Sequence, residues 1–472
     1  MFSIREKINN LIFIAREKTS PYVYSYFLPL LSALVALLFW IANLQLIGAT
    51  IVILMACFVL VVYDDFLPVI PFLFTVPMCF RDSVNLYAES LALGIIIFIP
   101  LVISIVFHFV KYPFSVKLDK FFYTLLSVLG VFLIGGLFTW DFNNYFKAFD
   151  LLLMSGVMPL AVHFFFYNKV KLNDNIDYRK YFCFCFICAT TLACLQVCYA
   201  YFYIKVIGPW PYGRMPGNFC WANSNNIVSL ALIAVPLCCY MMLSSKRAWA
   251  WFAEIVFLFV TVLLSGSDGG LATLLVFIPF LMYHSYKNAY RSNRKVLFFL
   301  YFAIISAGVL IIAYLFLFRF DNFFAYILDS SSGNGRIYPY TLALENFLSQ
   351  PILGVGFGNG KVSLEAIIHT HNAYGFFHST LLHILACAGI VGVIVYAIYY
   401  VVRVKYLAKG DTLLSKYAIF SFFLFASYAM VDTSEFNIVL MFMTTIITVV
   451  GLINKKGSDD KPLPLYVKIP KF

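Results

Sequence analysis

The sequence predicts an all-α fold: a polytopic transmembrane helical bundle of 12 to 14 helices, with a large, partly helical outer loop between two late helices. Three observations predict it. Of the 472 residues, 62% are hydrophobic and only 12% charged, too apolar for the roughly three soluble domains of ~150 residues that the length would otherwise allow. Hydrophobic runs long enough to cross a bilayer recur from Tyr22 almost to the end. The 33 Lys and Arg sit in short connections between these runs, so the net charge of +11 calls for no nucleic-acid partner. A soluble enzyme, a secreted disulfide scaffold and a disordered binder are excluded by the same counts.

Taken in order, residues 1–21 read as a cytoplasmic or interfacial segment. Arg5, Lys7, Arg16 and Lys18 surround Ile8, Leu11, Ile12 and Ile14, a pattern suited to an anionic inner leaflet, and no small-residue cleavage site follows. Residues 22–453 form one transmembrane domain, with spans expected at 22–40, 44–63, 66–80, 87–110, 121–138, 149–167 and 180–204. Further spans are expected at 224–243, 248–265, 270–285, 296–318, 374–402, 414–431 and 435–453; two of the fourteen, 66–80 and 270–285, are short enough to be half-spans. Residues 454–472 read as a cytoplasmic tail. If all fourteen cross from a cytoplasmic N-terminus, 26 of the Lys and Arg fall inside and 7 outside, which satisfies the positive-inside rule and leaves both termini cytoplasmic. Cys183, Cys185, Cys188, Cys194 and Cys198 share one apolar span without a zinc spacing; they read as packing residues, with palmitoylation of Cys183 the alternative.

Chemistry in such a chain belongs where polar residues gather at span ends or in large loops. One such segment, KVIGPWPYGRMPGNFCWANSNN, runs from Lys205 to Asn226. It is either an anchored turn with helix-capping asparagines, Asn225 among them, or a place where Arg214 faces a cavity and binds an anion. The second is the outer loop 319–373, too long and motif-rich for a mere connector. Its glycines Gly354, Gly356, Gly358 and Gly360 precede Lys361, yet a phosphate-loop reading fails, because Val355 and Val362 stand where the motif needs other residues and no strand precedes. A tight turn after Pro351 is the better account. At the end of the loop stands HTHNAY, with His369, His371 and Asn372 at its mouth, while His378 and His383 are expected inside the next span. No carboxylate or thiolate accompanies the histidines at ligand spacing, so no metal is expected. They either hold the loop down, with Asn372 as a helix cap, or one acts as a general base, since an imidazole titrates near neutrality. Arg336, upstream in the same loop, would then clamp an anion, a pairing that suits transfer from a phosphate-linked donor to an alcohol.

The ordered series GRMPGNFCWANSNN, LLSGSDGG, GNGRIYPYTLALENFLSQPILGVGFGNG and HTHNAY, followed by an apolar span with Gly389 and Gly392, resembles the O-antigen ligase and Wzy-type polymerase superfamily over residues 205–402. The resemblance implies a glycosyltransferase in the bacterial cytoplasmic (inner) membrane, its site on the outer face. Its donor would be an undecaprenyl-pyrophosphate-linked glycan, and it would work with inversion and without metal or nucleotide. It implies that His371 or His369 activates the acceptor, that Arg336 and Arg214 bind the pyrophosphate, and that a chain-length regulator protein is a candidate partner besides membrane lipids. Asp268, Asn372, Asn225 and Tyr338 are candidates for acceptor contact or orientation. Ser267, Asp268, Gly269 and Gly270 stand where the family often carries an SRG-like stretch, so an acid replaces the expected arginine. On that departure a polymerase of lipid-linked repeat units is favoured over a ligase that moves the finished glycan to lipid A core or another acceptor. A transporter or flippase of polyprenyl-linked glycans is the third reading, disfavoured because no inverted repeat or midplane charge pattern is seen.

Overall fold

The structure, a computed structural model, describes residues 4–80, 90–135, 152–171, 176–200, 224–265, 267–289, 306, 308, 337–357, 377–410, 412–432, 434–436 and 438–453. Among these the secondary structure is helical, with no strands. The helices are α1 (Ile4–Val23), α2 (Phe27–Ile41), α3 (Gln45–Val62), α4 (Ile70–Met78), α5 (Ser90–Lys111), α6 (Lys120–Ile134) and α7 (Met158–Lys169). They continue as α8 (Tyr178–Tyr199), α9 (Ser224–Ser244), α10 (Ala248–Ser265), α11 (Asp268–Ala289), α12 (Ile337–Ser349), α13 (Thr380–Leu407), α14 (Leu413–Ala429) and α15 (Ile438–Ile447). Six of them, α3, α8, α9, α10, α11 and α13, are long and apolar enough to cross a membrane, and α1 with α2 would add a seventh if that bent pair is one span. The expected half-span at 270–285 is thus longer than its apolar run, because polar residues at both ends, Asp268 to Gly270 and His284 to Asn288, continue the helix. Part of the predicted span count, including 296–318, lies outside the described residues.

The core sits around α9, apolar on every side and buried over nearly its whole length, as a helix enclosed by neighbours should be. It packs on α8, α10, α11 and α14. The cysteine-rich α8 belongs to the same core, and Cys183, Cys185, Cys188 and Cys194 are all buried there, which leaves Cys183 no access for lipidation. The one acid on α10, Glu254, accepts a hydrogen bond from Thr191 Oγ1 on α8 at 2.7 Å, so this carboxyl within the span has a donor.

One end of the bundle is tied by a polar knot. Asp64 accepts from Arg16 of α1 at 2.8 Å and from Lys171 at 2.6 Å. Next to it the buried Asp65 accepts from Tyr24 Oη at 2.9 Å and from the amides of Leu67 and Lys171 at 3.1 Å each. Nearby, Asp119 caps α6 through the Phe122 amide at 2.8 Å and meets His163 Nε2 at 3.0 Å.

α13 is not a continuous helix. At Gly389 the backbone takes φ 62°, ψ −160°, which removes the two helical bonds that the amides of Ile390 and Val391 would make to the carbonyls of Ala386 and Cys387. All four groups find partners in the turn after Pro351. The amides of Val355 and Gly356 donate to Ala386 and Cys387 at 2.9 Å each. In return, the amides of Ile390 and Val391 donate to the carbonyls of Pro351 and Ile352 at 2.9 and 3.2 Å. A break at membrane depth is tolerable only when freed backbone groups are satisfied in this way. The stretch from Pro351 to Phe357 is therefore a turn, and its Val355 and Gly356 amides are spent on helix α13, while Gly358, Gly360 and Lys361 lie outside the described residues.

Candidate functional site

Several helix termini meet at the other end of the bundle. α9 begins at Ser224 and α11 at Asp268, and α14 ends at Ala429. Ser267 joins them: its hydroxyl donates to Asn225 Oδ1 at 3.1 Å and lies 2.9 Å from Tyr428 Oη. The glycines that follow let the three helices approach. A Cβ at Gly270 would fall 2.0 Å from Val228 Cγ1, and one at Gly269 would sit 3.2 to 3.3 Å from Val431 and Tyr428. The SGSDGG stretch is thus a close-packing device as well as a polar one. Asp268 begins α11.

The lacing of α13 to the turn after α12 fixes a second arrangement at this end. Tyr340 Oη reaches the His378 carbonyl at 3.5 Å, and Pro351 reaches Ile390, so α12 and its turn run parallel to the first part of α13. Parallel packing brings the N-termini of both helices to one end. Arg336 immediately precedes α12, and the HTHNAY stretch precedes α13. The cap of α13 is Ser379, whose Oγ accepts from the Leu382 amide at 3.4 Å. His378 stands just outside the helix in the left-handed region, at φ 52°, rather than within the span as expected. The amide and hydroxyl of Thr380 both donate to the Asp432 carbonyl at 3.2 Å, which docks the turn after α14, and hence Tyr428, against the start of α13.

His383 is inside the span as expected, enclosed by Phe436, Phe377 and Phe357 with ring centroids 4.7, 5.5 and 5.8 Å away. That aromatic enclosure gives it a packing role. Glu435, in the same turn as Phe436, is fully buried within electrostatic reach of Arg403 on α13. Arg403 is itself held by Tyr399 Oη at 2.8 Å and by the Thr444 carbonyl.

Of the residues singled out from the sequence, Asn225 is placed directly in the Ser267 network. Asp268 and Tyr338 are placed by backbone only, each in the first turn of its helix. Arg214, Arg336, His369, His371 and Asn372 lie outside the described residues. Sequence reasoning missed Tyr428, Asp432 and Glu435. The polar run DTSEF between two apolar spans was the only signal for Asp432 and Glu435. Among the described residues no three His, Cys, Asp or Glu side chains converge as metal ligands.

Residues 253–397 match the family model described as O-antigen ligase. The chain resembles the O-antigen ligase and Wzy-type superfamily on this match. No curated protein matches the chain. The matched stretch runs from α10 through α11 and α12 into α13, so it contains SGSDGG, the laced turn and the break at Gly389. It supports a multi-pass membrane enzyme of the O-antigen ligase or polymerase type, one that transfers glycans carried on lipid. Asn225 and Tyr428, which flank the match in sequence, are packed against it through Ser267.

Proposed function

We propose that the protein polymerises undecaprenyl-pyrophosphate-linked oligosaccharide repeat units into a surface polysaccharide, at the outer face of the bacterial cytoplasmic membrane. The observation that carries this reading is the convergence, within and beside the O-antigen ligase match, of the N-termini of α9, α11, α12 and α13 at one end of the bundle. Helix N-termini carry partial positive charge, a setting suited to a pyrophosphate, although at α13 the Thr380 and Leu382 amides are already taken by Asp432 and Ser379. Arg336, next to the start of α12, and Arg214 would bind the pyrophosphate by planar, two-pronged contacts. His371 or His369 would take the proton from an acceptor sugar hydroxyl. The hydroxyl oxygen then attacks the anomeric carbon from the side opposite the phosphate, the bond from that carbon to the phosphate oxygen breaks, and the lipid pyrophosphate leaves with the electron pair. Inversion follows from this direct displacement. Asn225, Asn372, Tyr338 and Asp268 would orient the acceptor, and a chain-length regulator protein would act on the product.

The ligase is the second reading, supported by the description of the matching family. The polymerase is preferred because Asp268 stands where ligase-like members often carry an arginine. Purified protein given an undecaprenyl-pyrophosphate-linked oligosaccharide should produce a ladder of integral repeat units. Single transfer that appears only after a lipid or protein acceptor is added would replace the polymerase by the ligase. Movement of the intact donor across a sealed vesicle, with no transfer, would overturn both.

A further inference from the structure

The opposite end of the bundle carries a feature unconnected with glycosyl transfer. α1 and α2 meet at an angle of 82°, so that when α2 follows the membrane normal α1 lies along the membrane surface. Ile8, Leu11, Ile12, Ala15 and Tyr22 recur at helical spacing on one side of α1, and Lys18 lies on the flank of that stripe. Beneath the elbow is a groove of about 430 Å³, lined by Thr19 and Tyr22 of α1, Phe27 and Leu28 of α2, and Leu54 and Phe58 of α3 among others, almost wholly apolar.

In a bilayer such a concavity must be filled by hydrocarbon, since a void would forfeit dispersion contacts along its walls. The charge at its mouth selects the head of the occupant. Lys18 is one helical turn from the groove-lining Tyr22, is exposed, and can reach the headgroup level while its stem lies along apolar surface. Of the other cations near the elbow, Arg16 is already committed to Asp64 and lies over the Tyr63 ring, and Arg247 acts on Tyr26, which does not line the groove. Lys7 lies about three turns, or roughly 16 Å, further along the same flank, too far to share one headgroup with Lys18. We propose that the elbow between α1 and α2 holds a single anionic phospholipid, its acyl chain in the groove and its phosphate on Lys18.

The test uses the full chain in detergent, with phosphatidylglycerol and phosphatidylcholine titrated separately and bound lipid counted by native mass spectrometry. One phosphatidylglycerol should be retained several-fold more tightly than phosphatidylcholine. Lys18→Gln should weaken it about fivefold, the ~1 kcal/mol that a cation near an anionic lipid surface is worth. Lys7→Gln should leave it unchanged. Leu54 is 53% exposed in the groove wall, so Leu54→Trp fills the groove without disturbing the core and should remove the retained lipid; Leu38→Trp, on the part of α2 outside the groove, should not. Equal retention of the two lipids, or equal losses in Lys7→Gln and Lys18→Gln, would show ordinary lipid contact and overturn the site. The readout is a mass, so it stands apart from the success or failure of the transfer assay.

Discussion

Gly354 and Gly389 face each other across the broken helix so closely that neither has room for a side chain. A Cβ on Gly354 would lie 2.3 Å from the Ala388 nitrogen, and one on Gly389 would lie 2.4 Å from the Ile352 carbonyl oxygen. Both residues also have positive φ, 71° and 62°, where an L side chain is strained by about 1–2 kcal/mol before any clash is counted. The obstructing atoms are backbone, which cannot move aside without breaking the four hydrogen bonds of the lacing. Gly354→Ala and Gly389→Ala should each cost at least ~3 kcal/mol and lower the yield of folded protein. Gly130→Ala is the control: nothing lies within 4 Å of its missing Cβ, so the melting temperature in detergent should stay level or rise. An unchanged melting temperature in Gly389→Ala would mean that the lacing does not hold the two segments together.

The Gly270 to Val228 approach differs in kind, because the obstruction is a side chain. Gly270→Ala should separate α9 from α11 and destabilise by about 1–3 kcal/mol, as overpacking does. Trimming the obstacle should reverse it. Val228→Ala combined with Gly270→Ala should recover most of the melting temperature lost by the single change, a non-additivity expected of touching residues. Simple addition of the two losses would place the strain elsewhere than at this contact.

How much of this was legible in the sequence depends on how local the signal is. The spans are continuous apolar runs, and α3, α8, α9, α10 and α13 appear where such runs predict them. The break in α13 was not legible, because Gly389 in an apolar span is unremarkable until its partner turn, about 35 residues upstream, is known to supply the missing bonds. Ser267 and Asn225 were both quoted in motifs, yet only packing shows that they touch across 42 residues of chain. Tyr428 carried no local signal at all, since a tyrosine near the end of an apolar helix is ordinary interface composition.

The transfer reading makes the histidines and Arg336 separable. Replacing a general base typically costs 10²–10⁴-fold in rate, so His371→Ala should abolish visible polymer while protein level and membrane insertion are kept. If His369 is the base instead, the loss moves to His369→Ala. Normal polymer in both variants would end the imidazole mechanism. Arg336→Lys keeps the charge but loses the planar fork, and should also be impaired. Full activity in the lysine variant would reduce Arg336 to a structural residue.

Asp65 gives the fold a pH dependence with a definite sign. Burial pushes its carboxyl up to about 6 from the ordinary 3.8, although the Leu67 and Lys171 amides and Tyr24 oppose the shift. Between those two values the folded protein holds a proton that the unfolded chain has released, so stability falls as pH rises through this window. The cost, at most about 3 kcal/mol, is complete above about pH 6 and absent below about pH 4. Asp65→Asn keeps an oxygen for the two amides and offers an N–H to the Tyr24 hydroxyl, so it should be no less stable than the parent at pH 8. The parent's melting temperature should fall between pH 5 and 7 by more than that of the variant. Parallel pH profiles for the two proteins would show that Asp65 stays charged in the folded state, with Tyr24 and the two amides sufficient to hold it so.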